Sequence, residues 1–297
     1  MYQTHARQRI RAHAVGCATN RRAISAGSVR ASTSTIQTMP IHYLRQLTGK
    51  TRTVRSNHQL GLALTFIAGA TNAGGFLAVH QYTSHMTGIV SSMADRLALG
   101  EVALALAGLG ALLSFISGSA ISAILINWGR RRRMHSEYAA PLLVEAVLLL
   151  LFGLLGARLA EHATLFAPWT VMLLCLIMGL QNAIITKISH AEIRTTHVTG
   201  LVTDLGIELG KLAYWNGAQA PGSGPPVLAN RPRLRLLCAL LCMFFVGGLV
   251  GALGFKTIGF LATIVLSALL LFLAMVPVFD DLNAAVERAR ARLRKLQ

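Results

Sequence analysis

Long apolar runs separated by short polar stretches dominate the chain. Six of these runs are long enough to cross the hydrocarbon core of a bilayer, which needs roughly 20 apolar residues per helix. We therefore predict an all-α integral membrane protein with six transmembrane helices. They cover about residues 60–79, 102–128, 139–158, 168–187, 235–254 and 257–277.

Two shorter segments that lie between these runs repeat each other. Residues 83–90 read TSHMTGIV and residues 195–202 read TTHVTGLV, an offset of 112 residues. After each copy, apolar residues follow at helical spacing on one face and polar residues occupy another, so we predict an amphipathic helix after the first and the fourth transmembrane helix. The apolar positions are Met86, Ile89, Val90, Met93 and Leu97 in the first copy, and Val198, Leu201, Val202, Leu205 and Leu209 in the second.

The similarity extends upstream of both copies and indicates an internal duplication. Repeat one covers residues 58–158 and repeat two covers residues 168–279. Each repeat holds three transmembrane helices, an odd number, so the second repeat enters the membrane in the opposite sense to the first. The predicted fold is therefore two inverted three-helix repeats. The upstream pairs, with a slip of two residues, are Gly69 with Gly179 and Asn72 with Asn182.

The positive charges predict an orientation in the membrane. The first 59 residues carry ten Lys and Arg and no acidic residue, and Arg130 to Arg133 follow the second helix. Further basic groups follow the fourth and the sixth helix, whereas the other three connections have few. Cytoplasmic loops carry the excess of Lys and Arg, so we predict that both termini are cytoplasmic.

Composition excludes several other classes of protein. Only 13% of the residues are charged, against about 25% in soluble domains. The net charge of +17 is not arranged as a nucleic-acid groove, and the four cysteines have no metal-ligand spacing. We expect no nucleic-acid partner, no metal, no cofactor and no catalytic residue. An enzyme is the least favoured class, because inversion puts the two histidine motifs on opposite sides unless both reach the midplane.

The two ends of the chain have a different composition. Residues 1–57 are rich in Arg, Ser and Thr and are predicted to form a disordered basic extension. This composition resembles an organellar transit peptide, but it is also what translation from upstream of the true start would produce, with Met39 as the start. Residues 280–297 are predicted to form an Arg-rich amphipathic helix on the anionic inner leaflet.

The repeated motifs are the predicted binding site. Each amphipathic helix is too polar on one face to lie against lipid. It either lies flat at the interface or enters the bundle as a half-helix, and the sequence leaves both placements open. In the second case its free N–H groups, with His85 and Thr87 in one copy and His197 and Thr199 in the other, suit a polar or anionic ligand.

Three further polar residues, Asn72, Asn182 and Glu145, lie within predicted membrane segments, and two carboxylates lie on the repeated amphipathic helices. Asn72 and Asn182 are either interhelical hydrogen-bonding groups or part of the path of a solute. Carboxylates at membrane depth are candidates for coupling to an ion or a proton. The three carboxylates are Asp95, Asp204 and Glu145.

Four motifs in this order resemble the YoaK-like family of bacterial multi-pass membrane proteins, which is described as a domain of unknown function. They are GATNAGGF, TSHMTG, MGLQNA and THVTG, and the resemblance covers about residues 58–280. It implies a bacterial inner-membrane location and about six helices, and it implies no substrate, cofactor or active residue.

The sequence favours a secondary transporter or permease for a small polar or anionic solute. The alternative is a non-transporting scaffold or binding protein whose repeated helices lie at the interface. The expected partners are the lipid bilayer and a small-molecule solute, and a homo-oligomer is compatible with the sequence.

Overall fold

The computed structural model describes residues 54–132, 134, 137–159, 163–189, 193, 195–216, 225–275, 278 and 286. The predicted amino-terminal extension lies outside this part of the chain up to residue 53, and so does the predicted helix over 280–297, apart from Val286. Residues 54–57, which we assigned to the extension, form the first turn of a helix. This turn extends beyond the apolar run because Asn57 donates to the backbone carbonyl of Ile188 on a neighbouring helix.

Every regular element in the described part of the chain is helical. The α-helices are α1 (Val54–Val79), α2 (Met86–Ala98), α3 (Val102–Arg131), α4 (Ala139–Leu159), α5 (Ala163–Ile188), α6 (Val198–Ala213), α7 (Arg231–Ile258) and α8 (262–275). A single 3-10 turn, Gly259–Leu261, connects α7 to α8.

Five helical stretches are long and apolar enough to cross a membrane, which confirms the prediction of an all-helical membrane protein. The predicted fifth and sixth spans fall within a single stretch of 45 residues. Within it, Gly259 has a φ of 62°, a backbone conformation that glycine adopts readily, and the helix changes to the 3-10 turn there. The stretches are Arg55–Val79, Val102–Arg131, Ala139–Arg158, Phe166–Ile188 and Arg231–Met275.

Helices α1 and α5 run antiparallel through the centre of the bundle. The side-chain amide of Asn57, at the start of α1, bonds the carbonyl of Ile188 at the end of α5. The amide of Gln181 donates to the carbonyl of Leu64 at 3.2 Å, seven residues further along α1 and seven residues back along α5. The residue numbers therefore rise on one helix as they fall on the other.

Each of these two central helices packs backbone to backbone against another long helix. A methyl group added to Gly69 on α1 would overlap the carbonyl oxygen of Phe244 on α7. A methyl group added to Gly179 on α5 would overlap the carbonyl oxygen of Phe115 on α3. Small residues allow helices in membranes to approach this closely. The Gly69–Gly179 correspondence predicted from the sequence therefore marks the two tightest helix contacts.

Within both of these pairs the helices run parallel. On α1 and α7, Phe66 lies against Gly247 and Gly74 lies against Phe255, so the numbers rise together. On α3 and α5, Gly110 lies against Met172 and Gly118 lies against Leu176. Helix α4 and the segment that follows the 3-10 turn complete the bundle: the Ser267 hydroxyl donates to the Ala146 carbonyl at 3.0 Å.

Candidate functional site

The first histidine motif lies in a loop that returns into the bundle after α1. At the end of α1, His80 adopts a φ of 53°, which turns the chain back. The hydroxyl of Ser84 then donates to the side-chain oxygen of Asn72 at 2.9 Å. Thr83 is buried, and its carbonyl accepts from Cys175 Sγ at 3.5 Å, near the middle of α5. Asn72 therefore holds the loop inside the bundle.

The second motif is held in the same way. The hydroxyl of Thr196 donates to the side-chain oxygen of Asn182 at 2.9 Å. Thr195 is fully buried and its hydroxyl donates to the same oxygen at 3.4 Å. Asn72 and Asn182 had been aligned by sequence, and both tether the residue that precedes a motif histidine.

Helix α2 starts within the bundle and runs towards its end. Ile89, in its first turn, packs with Ala111 of α3 and Cys175 of α5. Further along, Met93 reaches Gly108, and Arg96 is paired with Glu101 just before α3 begins. The two helices are therefore antiparallel, and the amino end of α2 lies deeper than its carboxyl end. This geometry corresponds to the half-helix placement.

Helix α6 is packed along the first turns of α7 and is joined to them by charged side chains. Arg233 Nη2 lies 2.9 Å from Asp204 Oδ2. Glu208, which is buried, accepts from the backbone N–H of Asn230 at 2.7 Å and from Lys211 Nζ at 2.8 Å. These two hydrogen bonds lower the pKa of Glu208, so the carboxylate stays ionised at neutral pH.

The glycine of each motif makes room for the histidine ring. His85 and His197 directly precede α2 and α6, and neither side chain caps its helix. Instead the ring of His85 lies over Gly88, where an added methyl group would overlap it, and His197 lies over Gly200 in the same way. The spacing of histidine and glycine in both copies is therefore a packing requirement.

A cavity of about 610 Å³ adjoins the first motif. It lies between α2, α3 and the start of α5, and apart from the polar side chains named below its wall is mostly apolar. Arg96, on its wall, has its charge partly matched by Glu101 at the exposed end of α2. Hydrogen-bond donors from His80, Tyr82, His85, Ser92 and Arg96 line it.

Among the predicted binding residues, His85 is the one that lines this cavity. Thr87 and Thr199 lie on exposed faces of α2 and α6. His197 belongs to the loop at the other end of α5. Asn182 follows Gln181, whose amide donates to Leu64 and so marks its level on α1. Asn72 lies eight residues beyond Leu64 on α1. At 1.5 Å per residue, the two asparagines are therefore about 12 Å apart along the helix axis. The structure therefore places the two motifs in separate loops that enter from opposite ends.

The three predicted coupling carboxylates have different surroundings. Asp95 is exposed on α2, and Asp204 is bonded to Arg233. Glu145 on α4 is fully buried, and neither of its carboxylate oxygens has a hydrogen-bond partner within the described residues. In that part of the chain no group of three His, Cys, Asp or Glu side chains is arranged to hold a metal ion.

Sequence reasoning assigned no binding role to five polar residues of the cavity wall: His80, Gln81, Tyr82, Ser92 and Arg96. A usable signal was present for the first of them. His190 follows His80 by 110 residues, the offset that relates Asn72 to Asn182, although His190 lies outside the described residues. Helical spacing was a second signal, because the positions of His85, Ser92 and Arg96 fall on one face of a helix.

These features define a class: a multi-pass α-helical membrane protein with two short helices inserted between its long ones. The chain belongs to the family described as a protein of unknown function (DUF1275), which matches residues 60–276. This confirms the resemblance seen in the motifs. No curated protein and no solved structure was found to match the chain.

Proposed function

We propose that the chain is a secondary transporter or permease for a small polar or anionic solute, built as six spans in two inverted three-helix repeats. The observation that carries this proposal is the pair of tethered loops, each followed by a half-helix, that enter the bundle from opposite ends. Broken helices at matching positions of two repeats are typical of transporter binding sites. The chain would lie in the bacterial inner membrane with both termini cytoplasmic, with no enzymatic activity and with lipid and solute as partners.

Six spans are supported by the length of the last helical stretch. Its 45 residues would measure about 68 Å as one straight helix, more than twice the roughly 30 Å of a hydrocarbon core. The chain also changes partner at the 3-10 turn. Before the turn, α7 packs along α1. After it, Thr263 lies against Gly153 and Ser267 donates to Ala146. The residue numbers rise on α8 as they fall on α4, so these two helices are antiparallel.

An inverted repeat is supported by the exchange of helix contacts. The first helix of repeat one, α1, packs on α7, which is the second long helix of repeat two. The first helix of repeat two, α5, packs on α3, the second long helix of repeat one. Because α1 and α5 are antiparallel, a single rotation that exchanges them also exchanges α3 with α7.

The cavity favours an anionic or strongly polar solute. Arg96 supplies a positive charge, and His80, His85, Tyr82 and Ser92 supply hydrogen-bond donors. A guanidinium group attracts carboxylate or phosphate oxygens, and an anionic solute would share or displace the present contact of Arg96 with Glu101. Its apolar remainder, which includes Ile89 and Met93, would exclude water around the rest of the solute.

The two repeats differ at matching positions in the way that alternating access requires. Ser92 corresponds to Asp204 at an offset of 112, and Leu104 corresponds to Arg233 at an offset of 129, which also relates Phe115 to Phe244. Ser92 and Leu104 both line the cavity, whereas Asp204 and Arg233 are joined by an ion pair. Repeat two therefore has an ion pair at the two positions that line the cavity in repeat one.

Single-cysteine labelling tests the proposal without knowledge of the solute. Cys17, Cys175, Cys238 and Cys242 are first replaced. Cysteine is then placed at Thr87 or at Thr199 and treated with an impermeant maleimide from each side of sealed vesicles. We expect labelling of each position to switch sides with conditions.

Labelling of Thr87 only from outside and of Thr199 only from inside, under all conditions, would rule out alternating access. That result would favour the scaffold alternative. One feature of the structure also fits that alternative: α2 and α6 expose apolar side chains such as Leu97 and Ile207, which lipid or a protein partner would have to cover.

A further inference from the structure

The strongest unexplained feature of the bundle is the carboxyl group of Glu145. It is fully buried on α4, and within the described residues it has no hydrogen-bond donor, no acceptor and no cation. An ionised carboxylate without a partner in such surroundings is very unfavourable, whereas a neutral acid is tolerated. This conformation therefore holds the protonated group.

No charged residue of the neighbouring elements compensates Glu145. Helix α4 packs against α3, α5, the 3-10 turn and α8. The basic side chains of those elements lie at helix ends: Arg130 is bonded to Glu137 and Lys187 to Asn127, while Arg131 and Arg132 end α3. No described ion pair or hydrogen bond reaches Glu145 from any of them.

Glu145 lies at about the middle of the bundle. Phe152, about two turns further along α4, contacts the ring of Phe255, and that ring lies against Gly74 of α1. Ile67 lies two turns before Gly74 on α1, as Glu145 lies two turns before Phe152 on α4, and Ile67 is close to the middle of α1. The same section of the bundle contains two other buried oxygens without partners, Thr71 Oγ1 and Gln181 Oε1.

We infer that Glu145 is a proton-carrying site that couples the proposed transport to a proton gradient. This inference rests on the proposed function. A sodium ion would need several oxygen ligands around it, and the described residues bring no second carboxylate to Glu145. A proton needs only the carboxyl group and intermittent access to water.

The proton balance is simple. In one conformation the carboxylate of Glu145 takes a proton from water on one side, and the neutral acid is then buried as it is here. In the other conformation water reaches the group, the O–H bond breaks, and the proton leaves to the opposite side.

Asp95 and Asp204 do not fit this role. Asp95 is exposed in the described conformation, so the bundle does not enclose it. Asp204 is bonded to Arg233, so its negative charge is already compensated. Asp95→Asn is therefore a suitable control, because it removes a carboxylate from the membrane domain without touching the buried site.

The test measures labelling of cysteine at Thr87 in vesicles between about pH 5 and about pH 9, and each rate is divided by the rate of the same cysteine in the denatured protein at that pH, because the reactive thiolate itself becomes more abundant as the pH rises. We expect this normalised rate to change with pH in the parent chain with cysteine at position 87, and to stay constant in Glu145→Gln. Glu145→Asp should keep a pH dependence with a shifted midpoint, and Asp95→Asn should behave like the parent. A normalised pH dependence that persists unchanged in Glu145→Gln would overturn the inference, and so would a normalised parent rate that does not vary.

Infrared spectroscopy of the same vesicles separates failure of this inference from failure of the proposed function. Glu145→Gln should remove the carbonyl band of a protonated carboxyl group, and that band should shift in D₂O if water reaches the site. If labelling switches sides but the band is absent, transport stands and Glu145 is not the carrier. If the band is present but labelling never switches sides, the group is a buried acid in a protein that does not transport, and coupling is excluded.

Discussion

Arg233 on α7 donates to the carboxylate of Asp204 on α6 at 2.9 Å, while Ser92 and Leu104, at the matching positions of the other repeat, line an open cavity. Asp204 was predicted as a coupling residue. Its ion pair joins α6 to the first turn of α7. Helix α2 is held against α3 by a different contact, that of Met93 with Gly108.

Reversing one charge of this pair should open the contact between α6 and α7. Both side chains are more than 40% exposed, so the pair contributes only about 0.2–1 kcal/mol, and the thermal stability should change little. Labelling of cysteine at Thr199 should rise by up to about fivefold in Asp204→Arg and in Arg233→Asp. The double reversal should restore the original rate. If both single variants label like the parent, the pair does not control access.

The two tethering asparagines should be needed for the position of the motif loops. Asn72→Ala removes the partner of the Ser84 hydroxyl, and Asn182→Ala removes the partner of Thr195 and Thr196. Each lost hydrogen bond should cost about 1 kcal/mol, so Asn182→Ala should lower the thermal midpoint more than Asn72→Ala. Thermal unfolding in detergent measures this. An equal or reversed order would show that the loops are held chiefly by the burial of Thr83 and Thr195.

Glycine to alanine substitutions should distinguish the packed faces from the open ones. Gly69→Ala and Gly179→Ala would each push a methyl group into a facing carbonyl oxygen, which rigid backbone cannot avoid. We expect a loss of about 1–3 kcal/mol or more for each. Gly206 on α6 has no atom within 4 Å of an added methyl group, so Gly206→Ala is the matched control. Its stability should be unchanged or slightly higher, because alanine favours a helix by up to about 1 kcal/mol.

The contact between Glu208 and the start of α7 should be insensitive to pH near neutrality. Because hydrogen bonds from Lys211 and Asn230 lower the pKa of Glu208 in the folded chain, its stabilising contribution is complete above the unfolded pKa. It is lost as the pH falls through the lower folded value. The contribution of Glu208 to the thermal midpoint should therefore be constant from about pH 8 to about pH 5, and it should decrease once the pH is lower than about 4. Glu208→Gln should lose stability at neutral pH and flatten the acid limb.

This behaviour separates Glu208 from Glu145. A change in labelling between about pH 5 and about pH 9 cannot come from a carboxylate that stays ionised across that range. If Glu208→Gln abolished the pH dependence of labelling at Thr87 while Glu145→Gln left it intact, the roles assigned to the two carboxylates would be reversed.

Several parts of the architecture were predictable because they depend on short-range chemistry. Apolar runs of about 20 residues have few solutions other than membrane helices, since backbone groups in lipid must bond within their own segment. The repeated motif predicted a short amphipathic helix after each copy, and α2 and α6 lie at those positions. The sequence did not show that each asparagine holds the neighbouring loop or that each histidine ring lies on the motif glycine.

What only the tertiary structure decided concerns residues that meet across the bundle. Side chains such as Asp204 and Arg233 come together because two helices pack at a particular rotation, and periodicity along one helix does not encode that rotation. The depth of α2 depends on contacts between Ile89 and helices far away in sequence. The isolation of Glu145 is likewise a property of every element around it. The sequence by itself determined that the helices form and which segments repeat, whereas packing decided which polar residues share the cavity, which carboxylate is paired, and which is buried without a partner among the described residues.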